Sequence, residues 1–425
     1  MILLYTVIMT VVVVVMYPIA LAGALFGKTH LWERLHATGD MIGDSTRRVW
    51  IHAASVGEAR IAFSMACEVR KMYPHARIFI STITATGLQS ILRLNEASEN
   101  KPIERAFLAP LDHPWITGQF VRRFNPTTFM LVETELWPWL ILSVLKQNTP
   151  ITIINGKISK RAFRRYMIIH STIEKIVRGI SLYCVQSRTF AKRFHLIGVP
   201  QENIEIIGNV KFDGLPEPED YDRDQIRRSL KIPGKSKIFI AGSTRPGEEK
   251  VLARSFTRTL DKYPDALMVI VPRHLNRVSE IENILDSAGL SYAKRSADEP
   301  PESPERQVLI LDTMGELIRA FAAADAAFVG GSLSDYGGHN PLEPAALGIP
   351  VLFGPYMEQT GSRELLSEGA AVLVHNEEEL ANSVNLIFGD GEKSRLMATA
   401  GPAVVKRFKG TLARTLQCME KRHLI

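Results

Sequence analysis

Short apolar runs recur along this chain, each closed by a polar residue and followed by residues at helical spacing. One series holds Val49–Ile51, Arg77–Ser81, Thr128–Val132, Ile151–Asn155, Leu182–Gln186 and Ile204–Gly208. The segment 213–224, DGLPEPEDYDRD, breaks the series with prolines and acids and reads as a linker. A second series follows with Lys237–Ala241, Leu267–Pro272, Gln307–Leu311, Ala326–Gly330 and Pro350–Phe353. Strands this short and apolar, separated by helices, are buried on both faces and call for a parallel sheet. The chain has 425 residues, more than one core serves. The expectation is an α/β protein of two doubly wound domains. The first domain spans 28–212 and the second 225–390, with a membrane anchor at 1–27 before them and a helical end at 391–425 that can pack back on the first. In such sheets ligands bind outside the carboxyl ends of the strands. Two sheets facing one another place the site in a central cleft, so polar residues just after strands carry weight: Glu58, Glu133, Lys211, Thr244, Arg273 and Ser332.

Residues 1–27 contain no charged side chain. About 20 apolar residues cross a bilayer core, and no positive n-region precedes this run as a secretory signal would require. An uncleaved N-terminal transmembrane helix is expected. Lys28, Arg34, Arg47 and Arg48 follow it, which puts the bulk of the chain on the cytoplasmic side of a single-pass anchor. The net charge of +6 suits an anionic partner without choosing one. GKISKRAFRRY spaces Lys157, Lys160, Arg161, Arg164 and Arg165 along one helical face, able to lie on an anionic membrane surface. Cys67, Cys184 and Cys418 are far apart and read as reduced thiols. No GxGxxG opens a helix, which disfavours a dinucleotide site.

VWIHAASVGEAR runs from a strand into a helix, and Glu58 falls at the junction. A glutamate there is either a helix-starting residue, favoured by the dipole, or a reacting group. In LVETELWPWL, Glu133 and Glu135 flank Thr134 after a strand. In an extended chain they point opposite ways, one to the cleft and one into structure. NVKFD offers Lys211 where the first domain ends. FVGGSLSDYGGHNPLEPAALGIPVLFGP joins two glycine pairs to a helix start. Asn340 suits the N-cap and Pro341 the first helical position. Glu343 then reaches two vicinal hydroxyls, as on a ribose, beside an anion site of free N–H groups. The plainer reading of Glu343 is a capping box. VIVPRHLNR brings Arg273, His274 and Arg277 after a strand, suited to a diphosphate or phosphodiester. LDTMGELIRAF and AGSTRPGEE repeat the strand-to-helix pattern. With no DxD, HxxH or paired cysteines, a phosphate leaving group would be met by backbone dipoles and arginines.

Taken in order, HAASVGE, VETELWP, INGKIS, VQS, GNVKFD, AGSTRPGEE, VPRH, DTMGEL and GGSLSDYGGHNPLEPAALGIPVLFGP resemble the Kdo transferases of lipopolysaccharide synthesis. Each stretch alone is weak; nine in sequence are specific. The resemblance implies a GT-B fold with two Rossmann-like domains. It implies inverting, metal-independent transfer of 3-deoxy-D-manno-octulosonic acid from CMP-Kdo to a lipid A precursor, lipid IVA, at the inner membrane. No cofactor is implied beyond the donor, and no nucleic acid. It makes Glu58 the general base and assigns Glu133 and Lys211 to stabilising the transition state. Pro272, Arg273, Met314, Gly315, Glu316, Asn340, Pro341, Leu342 and Glu343 correspond to CMP-binding elements. Trp139 departs from the pattern, which has asparagine there. A competing class is a GT-B nucleotide-sugar epimerase or hydrolase; another is a membrane-tethered scaffold with a degenerate site.

Overall fold

The computed structural model describes residues 1–27, 30–37, 47–232, 236–297 and 306–425; Lys28 lies outside them. The chain forms two compact units. The first comprises Met1–Asp213 and Gly410–Ile425, the second Gly214–Lys409.

The first unit is built on seven parallel strands: β1 Arg48–Ala53, β2 Arg77–Thr82, β3 Arg105–Leu108, β4 Thr128–Val132, β5 Ile151–Gly156, β6 Leu182–Val185 and β7 Ile204–Ile206. Their order is β3-β2-β1-β4-β5-β6-β7. The chain winds outward from β1 through β3, then returns to place β4 on the other side of β1. The topological switch, where such sheets open a crevice, therefore lies between β1 and β4.

The second unit repeats the plan with β8 Ile238–Thr244, β9 Leu267–Pro272, β10 Tyr292–Lys294, β11 Val308–Ile310, β12 Ala326–Val329, β13 Val351–Phe353 and β14 Ala371–Leu373. The order is β10-β11-β9-β8-β12-β13-β14, which sets the switch between β8 and β12. The backbones beyond those two strands meet closely. A Cβ on Gly330 would sit 2.4 Å from the Ser243 carbonyl oxygen, so only glycine fits.

Three strands absent from the apolar series, β3, β10 and β14, are short sheet edges. An edge strand has one neighbour, and these three expose part of their length, whereas β1 and β4 are buried throughout. The basic stretch forms helix Lys160–Ile168, and helix His170–Val177 follows it separately, because Ile169 leaves the helical region at φ −110°, ψ 28°. Helix Gly391–Phe408 stays with the second unit, while helix Thr411–Lys421 belongs to the first. Leu412, Leu416 and Met419 there join the core beside Ala62, Met65 and Val69 of helix Val56–Met72.

Helix Ile2–Leu25 is long and apolar enough to cross a membrane. One side of it is docked on the first unit. The Tyr5 hydroxyl donates to Asp112 at 2.8 Å, Trp139 Nε1 donates to Thr6 Oγ1 at 3.1 Å, and Thr10 Oγ1 lies 3.2 Å from His113 Nε2. Val13 and Met16 pack against the core. The opposite side, with Leu3, Leu4, Val7, Ile8, Val11, Val14, Val15 and Ile19, is exposed. Trp139 thus spends its indole N–H on this helix.

Candidate active site

The loops at the first switch carry the acids. Ser55 caps helix Val56–Met72, accepting from the Glu58 N–H at 3.3 Å. Glu58 answers with its carboxylate, taking the Ala54 N–H at 2.8 Å and the Ser55 hydroxyl at 3.0 Å. This is a capping box, with both partners satisfied reciprocally. It fixes the half-buried carboxylate just beyond β1.

Glu133 follows β4 with φ +63°, a left-handed conformation that is rare outside glycine. Extended alternation stops there. Glu133 and Glu135 therefore line the same cavity, and the expectation that they point opposite ways fails. Glu133 is 8% exposed and pairs with Lys157 Nζ at 2.7 Å. Burial raises its pKa; Lys157 and Lys211 oppose the rise, and the Glu58 charge adds to it. Glu135 accepts from Trp137 Nε1 at 2.9 Å. Burial first, then the Glu58 and Glu133 charges, push its pKa up to about 7. Glu58, Glu133, Glu135, Lys157 and Lys211 thus act on one another electrostatically.

Lys157 was expected on the basic helix face. It precedes helix Lys160–Ile168 and turns to Glu133 instead. Lys160, Arg161, Arg164 and Arg165 remain exposed. Lys211 is held from behind by a relay. Asn155, itself at φ +55°, accepts the Val210 N–H on Oδ1 at 3.1 Å. Gln186 donates to the Asn155 carbonyl at 3.0 Å, and Asn209 donates to Gln186 at 3.3 Å. One residue from each of INGKIS, VQS and GNVKFD is thereby tied into a single network.

In the second unit the loops after β8, β9 and β12 converge. Glu248 is fully buried and accepts four backbone N–H groups, from Arg245 at 2.9 Å, Gly331 at 2.8 Å, Ser332 at 2.9 Å and Leu333 at 3.0 Å. It staples AGSTRPGEE to the glycine loop. Burial raises its pKa while those N–H groups lower it. Glu249 grips Arg277 with both oxygens, at 2.6 and 3.1 Å, so Arg277 is structural. Arg273 is exposed just beyond Pro272. His339 lies among the cations; burial, then Arg245, Arg273 and His274, push its pKa down to about 4. Arg245 also covers the Tyr336 ring at 5.0 Å.

Asn340 accepts the Leu342 N–H at 3.1 Å and donates to Glu343 at 3.2 Å. The helix starts at Leu342, one residue late, which makes Pro341 its cap; the side-chain cap on Asn340 is retained. Burial raises the Glu343 pKa, with Asn340 opposing. Thr313 Oγ1 donates to Glu316, which also lies 3.4 Å from Arg295. Met314 is 81% exposed beside Gly315 at φ +85°. Pro272, Arg273, Met314–Glu316 and Asn340–Glu343 all belong to the second unit. Glu58, Glu133 and Lys211 belong to the first.

Glu248 and Asn155 were not singled out by the sequence; Glu135 was named beside Glu133 and Lys157 on the basic face, neither with a role in the site. The signal for Lys157 was its place one strand from Glu133; for Glu248 it was an acid at a helix start opposite a glycine loop.

Residues 29–214 match the family model described as 3-deoxy-D-manno-octulosonic-acid transferase (kdotransferase). A 3-deoxy-D-manno-octulosonic acid transferase of Haemophilus influenzae is 32% identical over 396 residues, covering 92% of this chain and 91% of its own. Its counterpart in Rickettsia conorii is 29% identical over 346 residues, 81% of this chain and 72% of its own. A solved glycosyltransferase from Rickettsia africae superposes with TM-score 0.59 at 13% identity, covering 89% of this chain and 99% of that one. UDP-GlcNAc 2-epimerase from Neisseria meningitidis gives 0.57 at 16%, covering 87% and 99%. Those two share the GT-B fold. Sequence and fold agree that the chain is a glycosyltransferase belonging to the 3-deoxy-D-manno-octulosonic acid transferase (Kdo transferase) family.

Proposed function

We propose that this protein transfers Kdo from CMP-Kdo to a lipid A precursor, lipid IVA, with inversion and without a metal ion. The observation that carries the reading is the group of Glu58, Glu133, Lys157 and Lys211 around the β1–β4 switch. Glu58 takes the proton of the acceptor hydroxyl as that oxygen attacks the anomeric carbon. Its capping-box bonds hold the carboxylate in place beforehand, and a positioned base is worth roughly 10²–10⁴ in rate. Glu133 and Lys211 stabilise charge near the reacting sugar, with Lys157 holding Glu133 in orientation. On the donor side, Glu343 takes the ribose hydroxyls, and Pro272, Arg273, Met314–Glu316 and Asn340–Leu342 hold CMP. The leaving phosphate is met by Arg273 and backbone N–H groups, which stabilise developing charge without reorganising.

The protein works at the cytoplasmic face of the inner membrane. The N-terminal helix, long and apolar enough to cross, holds it there with its exposed side, Leu3 to Ile19, against the acyl chains. The exposed cations of helix Lys160–Ile168 face anionic lipid. The test is a product assay with CMP-Kdo, with and without lipid IVA. The expected product is a Kdo-bearing lipid by mass, with CMP released. Free Kdo alone, or an epimerised sugar, would sink the transferase reading in favour of a hydrolase or epimerase.

A further inference from the structure

A cavity of about 820 Å³ lies within the first unit, open on one side and walled mostly by apolar side chains. That volume is in the range of sites built for small molecules, about 300–1,000 Å³. Three features of its lining bear on its occupant. Ile2 and Tyr5 of the docked apolar helix form one wall. Ile169, Ile173 and Trp137 add apolar surface to the lining, which also includes Glu133 and Lys157. One space therefore touches both the membrane-facing helix and the proposed catalytic group.

We propose that this cavity receives an acyl chain of the acceptor lipid and so presents the acceptor's hydroxyl to the carboxylates. The proposal rests on the transferase reading and extends it to the acceptor's tail. An apolar chain fits the apolar walls, where a sugar's hydroxyls would find few partners. Arg165, also in the lining, and Lys157 supply positive charge for the phosphate that a lipid of this kind bears. The apolar helix continues outward as an exposed strip from Leu3 to Ile19, so a chain leaves the bilayer along apolar surface.

The cavity acts on KM, because a chain bound alike in ground and transition states lowers KM and leaves kcat unchanged. Wild-type enzyme is assayed on phosphorylated disaccharide acceptors whose acyl chains shorten stepwise by two carbons. The expected result is a KM that rises with each step, up to about fourfold per methylene lost from the cavity. Ala162→Phe narrows the cavity from its partly exposed side. It raises KM for the fully acylated acceptor at least tenfold more than for the deacylated one. A second readout needs no turnover. 11-Bromoundecanoic acid quenches the fluorescence of Trp137, and the quenching is lost in Trp137→Phe and weakened in Ala162→Phe. A KM independent of chain length, or no bromine quenching of Trp137, overturns the acyl site. Quenching without transfer to any acceptor overturns the transferase reading and leaves the acyl site standing.

Discussion

At the scale of single residues, Glu58 is an observed cap and the proposed general base. Its carboxylate closes the capping box with Ala54 and Ser55, and its charge acts on Glu133 and Glu135. The two roles separate by substitution. Glutamine also closes a capping box, yet it cannot accept the proton. Glu58→Gln is expected to keep its melting temperature within the shift of about 1 kcal/mol that a cap is worth. Its turnover should fall by roughly 10²–10⁴. Steady-state kinetics beside a thermal melt decides; a variant keeping a tenth of its turnover would end the case for a base. Glu135 makes a prediction in pH. Its folded pKa of about 7 stands above the ordinary 4.5, so the folded state holds its proton more tightly than the unfolded one. The stability this contributes is complete below about pH 4.5 and is lost as pH rises through 7. Glu135→Gln does not titrate. Melts of both proteins from pH 4 to 8 should show the variant gaining on wild type across that window. A constant difference would show that Glu135 titrates normally.

At the scale of elements, strand ends place chemistry that periodicity cannot orient. The apolar pattern located β4 to the residue, and with it the position of Glu133 beyond its end. The left-handed turn at Glu133 gives no signal in residue type, and it brought Glu135 to the same cavity. The first helix is a parallel case. Its composition is apolar on every side, so the sequence suggests a span. Asp112, Trp139 and His113, more than a hundred residues away, turn one side to the protein. If the helix crosses, a tag on its N-terminus is digested when protease is added outside spheroplasts, and a protected tag would exclude a crossing. The outer side also predicts a mutant. Val7→Glu with Val11→Glu puts two charges in hydrocarbon, each costing about 2.5–3.5 kcal/mol at full depth. The protein should shift from the membrane to the soluble fraction on flotation, while its melt is kept by the untouched docked side.

At the scale of the whole molecule, the chain completes its first unit last. Helix Thr411–Lys421 buries Leu412, Leu416 and Met419 in that unit's core. Asp213 fastens its start, accepting from the Thr411 and Leu412 N–H groups at 2.8 Å each. Ending the chain at Lys409 removes three core side chains, each worth about 2–5 kcal/mol. Calorimetry should show the first unit's transition lowered or lost, with the second unit's retained. Asp213→Ala gives the milder form, a loss of about 0.5–2 kcal/mol for the cap. An unchanged melt of the truncated chain would show that the tail adds nothing to that unit.

By itself the sequence determined the alternation of strand and helix, and hence two parallel sheets. It also put an acid or a cation just beyond most central strands. Those signals are local: a buried strand must be apolar along its length, and a turn into a helix needs a cap. Only the tertiary structure decided which charges meet. Lys157 turned from a basic face to Glu133. Glu248 turned inward to hold four backbone N–H groups. Arg277 was taken by Glu249. Each outcome depends on burial and on partners distant in the chain, because a charge removed from water takes whichever opposite charge or N–H group the fold brings nearest.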